Sequence, residues 1–96
     1  MPQINLTAIV KSRPEKIEET KAVLQEMVFY SIKEKACLKY ELHQSQTEPH
    51  VFIFHEIWKS REDLDLHNKQ PYITGFIEKS AELLQEPVSV YITDII

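Results

Sequence analysis

The sequence predicts an α+β domain of the ferredoxin-like type, with elements in the order β-α-β-β-α-β and helices on one face of a four-stranded antiparallel sheet. Three observations predict it. Segments rich in β-branched and aliphatic residues recur at 4–11, 36–45, 51–59 and 88–96 and read as strands. Segments with apolar residues at helical spacing separate the first from the second and the third from the fourth. The middle two are joined by Gln46-Thr47-Glu48-Pro49, a turn short enough to pair them as an antiparallel hairpin. Strand–helix–strand therefore occurs twice, over Ile4 to Ser45 and Val51 to Ile96, without a sequence repeat.

The first strand, INLTAIVK, alternates so that Ile4, Leu6, Ala8 and Val10 share one face and Asn5, Thr7 and Ile9 the other. Ser12-Arg13-Pro14-Glu15 is a helix start, with Ser12 or Arg13 as cap, proline in the first turn and a carboxylate at the positive end of the dipole. Ile17, Leu24, Met27, Val28 and Ile32 then mark one amphipathic helix of about twenty residues reaching Glu34. Hairpin register has two solutions. A pairing of Gln46 with Pro49 sets Tyr40 opposite His55 and Lys39 opposite Glu56. A slip of one residue instead groups Leu38, Tyr40 and Leu42 with Phe52, Phe54, Glu56 and Trp58. Ser60-Arg61-Glu62-Asp63 starts a second helix, with Ser60 as cap and Leu64 and His67 on one face. Pro71 opens a further helix with Ile73, Phe76, Ile77 and Leu84 buried, ended by Gln85-Glu86-Pro87.

Ninety-six residues make a single domain, 1–96, and an apolar fraction of 43% allows a thin core. The strands are apolar at nearly every position, so the sheet face without helices is expected to be covered by a second copy in a symmetric homodimer. A net charge of −4 and no Lys/Arg run longer than two argue against nucleic acid. The start lacks the basic and apolar regions of a signal peptide, and no apolar run is long enough to cross a bilayer. Cys37 is the only cysteine, which fits a reducing cytoplasm and reads as a small core hydrophobe. With Gly75 the only glycine, glycine-rich phosphate loops are excluded. Zinc-type Cys and His spacings are missing too, and His43 with His55 has no carboxylate at a defining spacing, so no metal is expected. What remains is chemistry without a cofactor, a pocket that no motif marks, or no chemistry.

The residues able to do chemistry crowd between Tyr40 and Phe76. His67, beside Leu64 on an inward helix face, titrates near neutrality and suits a general base for a phenolic or enolic substrate; the plainer reading is a histidine satisfied by a backbone carbonyl. Glu56, in the otherwise apolar FIFHEIW, must be solvated, paired or lining a pocket, because burial without a partner is costly; Lys39 is the plain partner. Trp58, Tyr40, Tyr72, Phe54 and Phe76 can supply flat apolar walls for an aromatic ligand, and Asn5 a polar contact to developing charge on oxygen.

The run Tyr40…Phe54-His55-Glu56-Ile57-Trp58-Lys59-Ser60…Leu64…His67…Gln70-Pro71-Tyr72…Phe76 resembles the signature of the antibiotic biosynthesis monooxygenase family. There a Glu-x-Trp-x-Ser segment ends a strand, and a helix with leucine and histidine follows. The resemblance covers the whole chain and implies a dimeric α+β barrel whose members include cofactor-free oxygenases of quinols and polyketide-derived phenols. It supports Glu56, Trp58 and His67 as site residues, with Pro71 structural. The second family histidine, just after that proline, is Tyr72 here, which counts against a two-histidine mechanism. Haem-degrading relatives share the fold, but their haem-ligating histidine falls where this chain has Phe76-Ile77. The expected function is a cofactor-independent monooxygenase using O2 on a quinol, phenol or polyketide-like aromatic, with His67 and Glu56 as catalytic groups. The alternatives are an isomerase of a small metabolite, like the autoinducer-processing branch, and a non-catalytic, stress-responsive dimeric binding protein.

Overall fold

β-branched residues on the first strand and on the hairpin build one antiparallel sheet, seen in a computed structural model that describes residues 3–96. The elements are β1 (Ile4–Lys11), a 3-10 turn (Pro14–Lys16), α1 (Ile17–Ser31), β2 (Cys37–Gln44), β3 (Val51–Trp58), α2 (Arg61–His67), α3 (Pro71–Leu83) and β4 (Ser89–Thr93). Strand order is β2-β3-β1-β4, with every neighbour antiparallel. This is the ferredoxin-like α+β arrangement the alternating elements predict.

The hairpin takes the second of its two registers: Tyr40 pairs with Glu56, Leu42 with Phe54 and Gln44 with Phe52. The reason is side-chain parity, since this register puts Tyr40 and Leu42 on the same face as Phe52, Phe54 and Trp58, where helices cover them. An irregularity between Cys37 and Lys39 breaks the pairing, and Leu38, expected with this group, is exposed. The β1–β3 register sets Leu6 opposite Glu56 and Ala8 opposite Phe54. The core is then Leu6, Ala8, Val10, Phe52, Phe54 and Trp58 from the sheet against Leu24, Met27, Leu64, Ile73 and Phe76 from the helices.

Three expectations change. The first helix is shorter than its pattern, ending at Ser31 with Ile32 exposed. Residues 32–34 tighten into i→i+3 bonds (Lys33 N–H to Tyr30, Glu34 N–H to Ser31), which releases the chain into the turn leading to β2. Neither Ser12 nor Arg13 caps through its side chain; the buried Ser12 hydroxyl instead meets Thr20 Oγ1 at 2.8 Å and donates to the Arg13 carbonyl. Ile77 is exposed while Leu83 and Leu84 are buried, Leu84 through a bridge to Ser12.

The sheet is also less apolar on its open side than its composition suggests. Phe52, Phe54, Val90 and Ile92 all belong to the helix side; the open side carries Ile9, Ile53, Ile57 and Tyr91 among Asn5, Thr7, His43 and His55. Among the described residues no helix is long and apolar enough to cross a membrane.

Phe52 has no solvent exposure, so Phe52→Ala is expected to cost about 3–5 kcal/mol of unfolding free energy in urea melts. Leu38→Ala, at an exposed site, is expected to stay within about 0.5 kcal/mol.

Candidate active site

The position of His67 is set by how α2 begins. Ser60 Oγ accepts the Asp63 N–H (3.2 Å) and donates to Asp63 Oδ2 (2.7 Å), so the helix starts in one phase. That phase turns Leu64 and His67 inward, and His67 is only 3% exposed. Its ring packs on Trp58, centroids 4.2 Å apart, with Tyr40 at 5.5 Å.

His67 is not satisfied by a backbone carbonyl. Its Nδ1 lies 2.7 Å from Glu34 Oε2. A carboxylate only accepts, so Nδ1 carries the proton and donates, leaving Nε2 as the acceptor of the neutral ring. The Tyr72 hydroxyl donates to the same oxygen in a short hydrogen bond, and its ring stacks on Tyr30 at 5.3 Å. Burial lowers the His67 pKa below its ordinary value, and the hydrogen bond and charge of Glu34 only partly offset this. Burial, reinforced by Glu34, raises that of Tyr72.

Glu56 is 7% exposed and does not pair with Lys39, which projects from the other face beside Glu41. Its Oε1 accepts the Trp58 indole N–H at 2.8 Å. Burial pushes the Glu56 carboxyl up to about 7, against that hydrogen bond and with the Glu34 charge adding to the rise. Burial and the Glu56 charge raise the Tyr40 phenol, and burial takes the Cys37 thiol to about 11. The Ser31 hydroxyl, fully buried, makes no hydrogen bond of ordinary geometry, though it lies close enough to Tyr40 to favour its phenolate.

Beside these groups a cavity of about 290 Å³ opens between α2, α3 and the sheet. Leu6, Ala8, Val10, Met27, Phe54, Leu64 and Phe76 make its apolar walls, and Tyr40, Glu56, His67, Arg61 and Asn68 its polar points. Of the residues singled out in the sequence, His67, Glu56, Tyr40, Phe54 and Phe76 meet here. Trp58 is brought to the cluster but lies fully buried behind it, holding His67 and Glu56 rather than walling the cavity. Tyr72 reaches Glu34 and lines a separate groove with Pro71 and Gly75. Asn5 is the exception: it sits on the open sheet face opposite Ile57 and Thr93, away from His67. Strand parity excludes it from the cavity once Leu6 faces in.

Glu34 is what sequence reasoning missed. It stands in the charged run Lys33-Glu34-Lys35 as one of 15 acidic residues, with nothing local to separate it from a solvated turn. Among the described residues no three metal-ligating side chains converge; His43 and His55 meet edge to face at 5.0 Å on the open face, with Glu41 on His43.

Comparison with known proteins follows this geometry. Residues 4–79 match the model of the antibiotic biosynthesis monooxygenase family. The chain belongs to that family. A Bacillus subtilis protein provisionally named as a monooxygenase, YcnE, is 34% identical over 92 residues, covering 96% of this chain and 97% of its own. An uncharacterized Synechocystis protein is 37% identical over 83 residues, 86% of this chain, although the match spans only 56% of its length. The crystal structure of PA3566 from Pseudomonas aeruginosa superposes with a TM-score of 0.94 at 26% identity, covering 100% of this chain and 96% of the other. Membership of the monooxygenase family and the ferredoxin-like fold agree with one another, and together they support a monooxygenase-like function.

Glu56 gives the site a measurable pH signature. Its folded pKa, about 7, lies above the ordinary carboxyl value of 4.5. The unfolded chain therefore ionises first, and stability present below about pH 4.5 falls until about pH 7. Glu56→Gln keeps an oxygen for the Trp58 indole and is expected to be more stable than the parent by about 2–3 kcal/mol at pH 8, with no gain at pH 4. Denaturation across that range checks it; an equal effect at both pH values would contradict the assignment.

Proposed function

We propose that the cavity binds a phenol or quinol and that the protein is a monooxygenase needing no metal or flavin, with His67 as general base. The observation that carries this is the Glu34–His67 pair at the cavity wall. A histidine held neutral by burial, its tautomer fixed by a carboxylate and its Nε2 left as acceptor, is suited to take a hydroxyl proton from a ligand between apolar walls.

The chemistry balances as phenol plus O2 giving quinone plus water. His67 Nε2 takes the hydroxyl proton, and Glu34 stabilises the imidazolium that forms. The phenolate passes one electron to O2, and the substrate radical and superoxide combine at a ring carbon, forming a C–O bond. The peroxide takes the proton back from His67. Loss of the ring proton and cleavage of the O–O bond then give the carbonyl and water. The electrons come from the substrate, and the protein contributes placement, a base and an apolar-walled cavity. Glu56, with its carboxyl near neutrality, and Tyr40 are the donors placed to meet the developing oxygen charge. Tyr72 steadies Glu34, so one histidine with its carboxylate stands where a two-histidine arrangement would need a second ring.

His67→Ala is expected to lower kcat/KM for oxygen consumption with a panel of quinols and hydroxynaphthoquinones by about a hundredfold or more. The rate should rise with pH and level off before neutrality, because the neutral ring is the active form and its pKa is lowered. Glu34→Gln removes the groups that raise that pKa, so its acidic limb should move to lower pH while the plateau rate falls. Oxygen uptake by the metal-free, flavin-free protein is the measurement; no uptake with any member of the panel would sink the reading.

We further infer a homodimer closed through the open sheet face, where Ile9, Ile53, Ile57 and Tyr91 form the apolar centre. Sedimentation is expected to give twice the chain mass, and Ile53→Glu to give the monomer.

A further inference from the structure

We propose that the ligand of this cavity carries an anionic substituent, a carboxylate or sulfonate, at the end remote from the hydroxyl that meets His67, and that Arg61 recognises that anion. The inference rests on the reading of the cavity as the substrate site and adds a substrate class to it.

Arg61, Leu64 and His67 of α2 line the cavity together with Asn68, the C-cap residue of that helix. Their spacing puts them along one helix face, with Arg61 and His67 separated by about 9 Å of helix rise. Leu64 lies between the two on that face, and apolar residues of the sheet and of α3 complete the lining. A ligand touching both is therefore an extended, flat apolar body, two fused rings long, with a hydroxyl at one end and a hydrogen-bond acceptor at the other. Charge decides what the acceptor is. Arg61 is the one cation lining the cavity among the described residues, and guanidinium is the side chain whose planar fork fits a carboxylate or sulfonate. Its Nε lies 3.6 Å from Asp65 Oδ1, and this is its only ion pair among the described residues, so both terminal nitrogens are unengaged by carboxylates. With the cavity's one guanidinium at the Arg61 end, the anion goes to that end, which orients the ligand.

The test compares two probes: a hydroxynaphthalene carboxylate with its two groups at opposite ends of the rings, and the matching neutral carboxamide. Calorimetry on the native protein is expected to show the carboxylate bound about fivefold more tightly, the scale of a solvent-accessible charged pair, with the preference shrinking as salt is added. Arg61→Gln should bring the ratio of affinities to about one, Arg61→Lys should keep part of it, and Asp65→Asn should enlarge it. Both sites are exposed, and circular dichroism would verify folding. Equal binding of the two probes by the native protein, a ratio that Arg61→Gln leaves unchanged, or no binding of either probe would overturn the proposal. The two readings fail separately. A carboxylate preference without oxygen consumption removes the monooxygenase assignment alone, whereas oxygen consumption that treats the two probes alike removes the anion site alone.

Discussion

The contact on which the site depends is the His67 imidazole, packed at 4.2 Å on Trp58 and held at Nδ1 by Glu34. It ties together three separate parts of the chain: the end of β3, the end of α2 and the turn after α1. Burying an imidazole and a carboxylate is costly in isolation. Here each group is compensated, Glu34 accepting from both His67 and Tyr72, and Trp58 donating its indole proton to Glu56. The same tryptophan thus sets one face of the histidine and the orientation of the nearby acid.

This arrangement divides the polar groups by environment. Glu56 sits in apolar surroundings with one neutral donor, and its carboxyl is pushed up to about 7. Glu34 receives two donors and can stabilise a cation on His67. Two carboxylates of one chemical type thereby sit in different environments, Glu56 desolvated with one neutral donor and Glu34 accepting from two. The cavity is lined by both His67 and Glu56, while Tyr72, stacked on Tyr30, lies outside its lining.

Strand parity explains why these residues meet. Leu6, Ala8 and Val10 face the helices, so Glu56, opposite Leu6, must do so as well, and Tyr40, opposite Glu56, follows. A one-residue slip in the hairpin would have placed Tyr40 beside His55 and turned it to the open face with Leu42. The burial of Tyr40 against Phe54 and Trp58 is the energetic reason it does not.

Local pattern was enough for much of this. Period-two alternation marked β1 to the residue, Ser60 and Asp63 marked the start of α2, and the order of elements specified the ferredoxin-like sheet. Glu56 was conspicuous as a carboxylate in the apolar run FIFHEIW, His67 by sharing a helix face with Leu64, and Tyr40 by its place on the hairpin. Glu34 and Arg61 were not, because each sits in a charged stretch where its immediate neighbours are solvated, and only chain segments distant in sequence give it a partner or a cavity. Asn5 was misread for the converse reason: its type suited an oxygen contact, but the face it occupies is decided by what its neighbours bury. Periodicity along a chain determines which residues share a face. Which carboxylate meets which histidine depends on contacts across 33 residues of sequence, and those are decided only when helices and sheet pack.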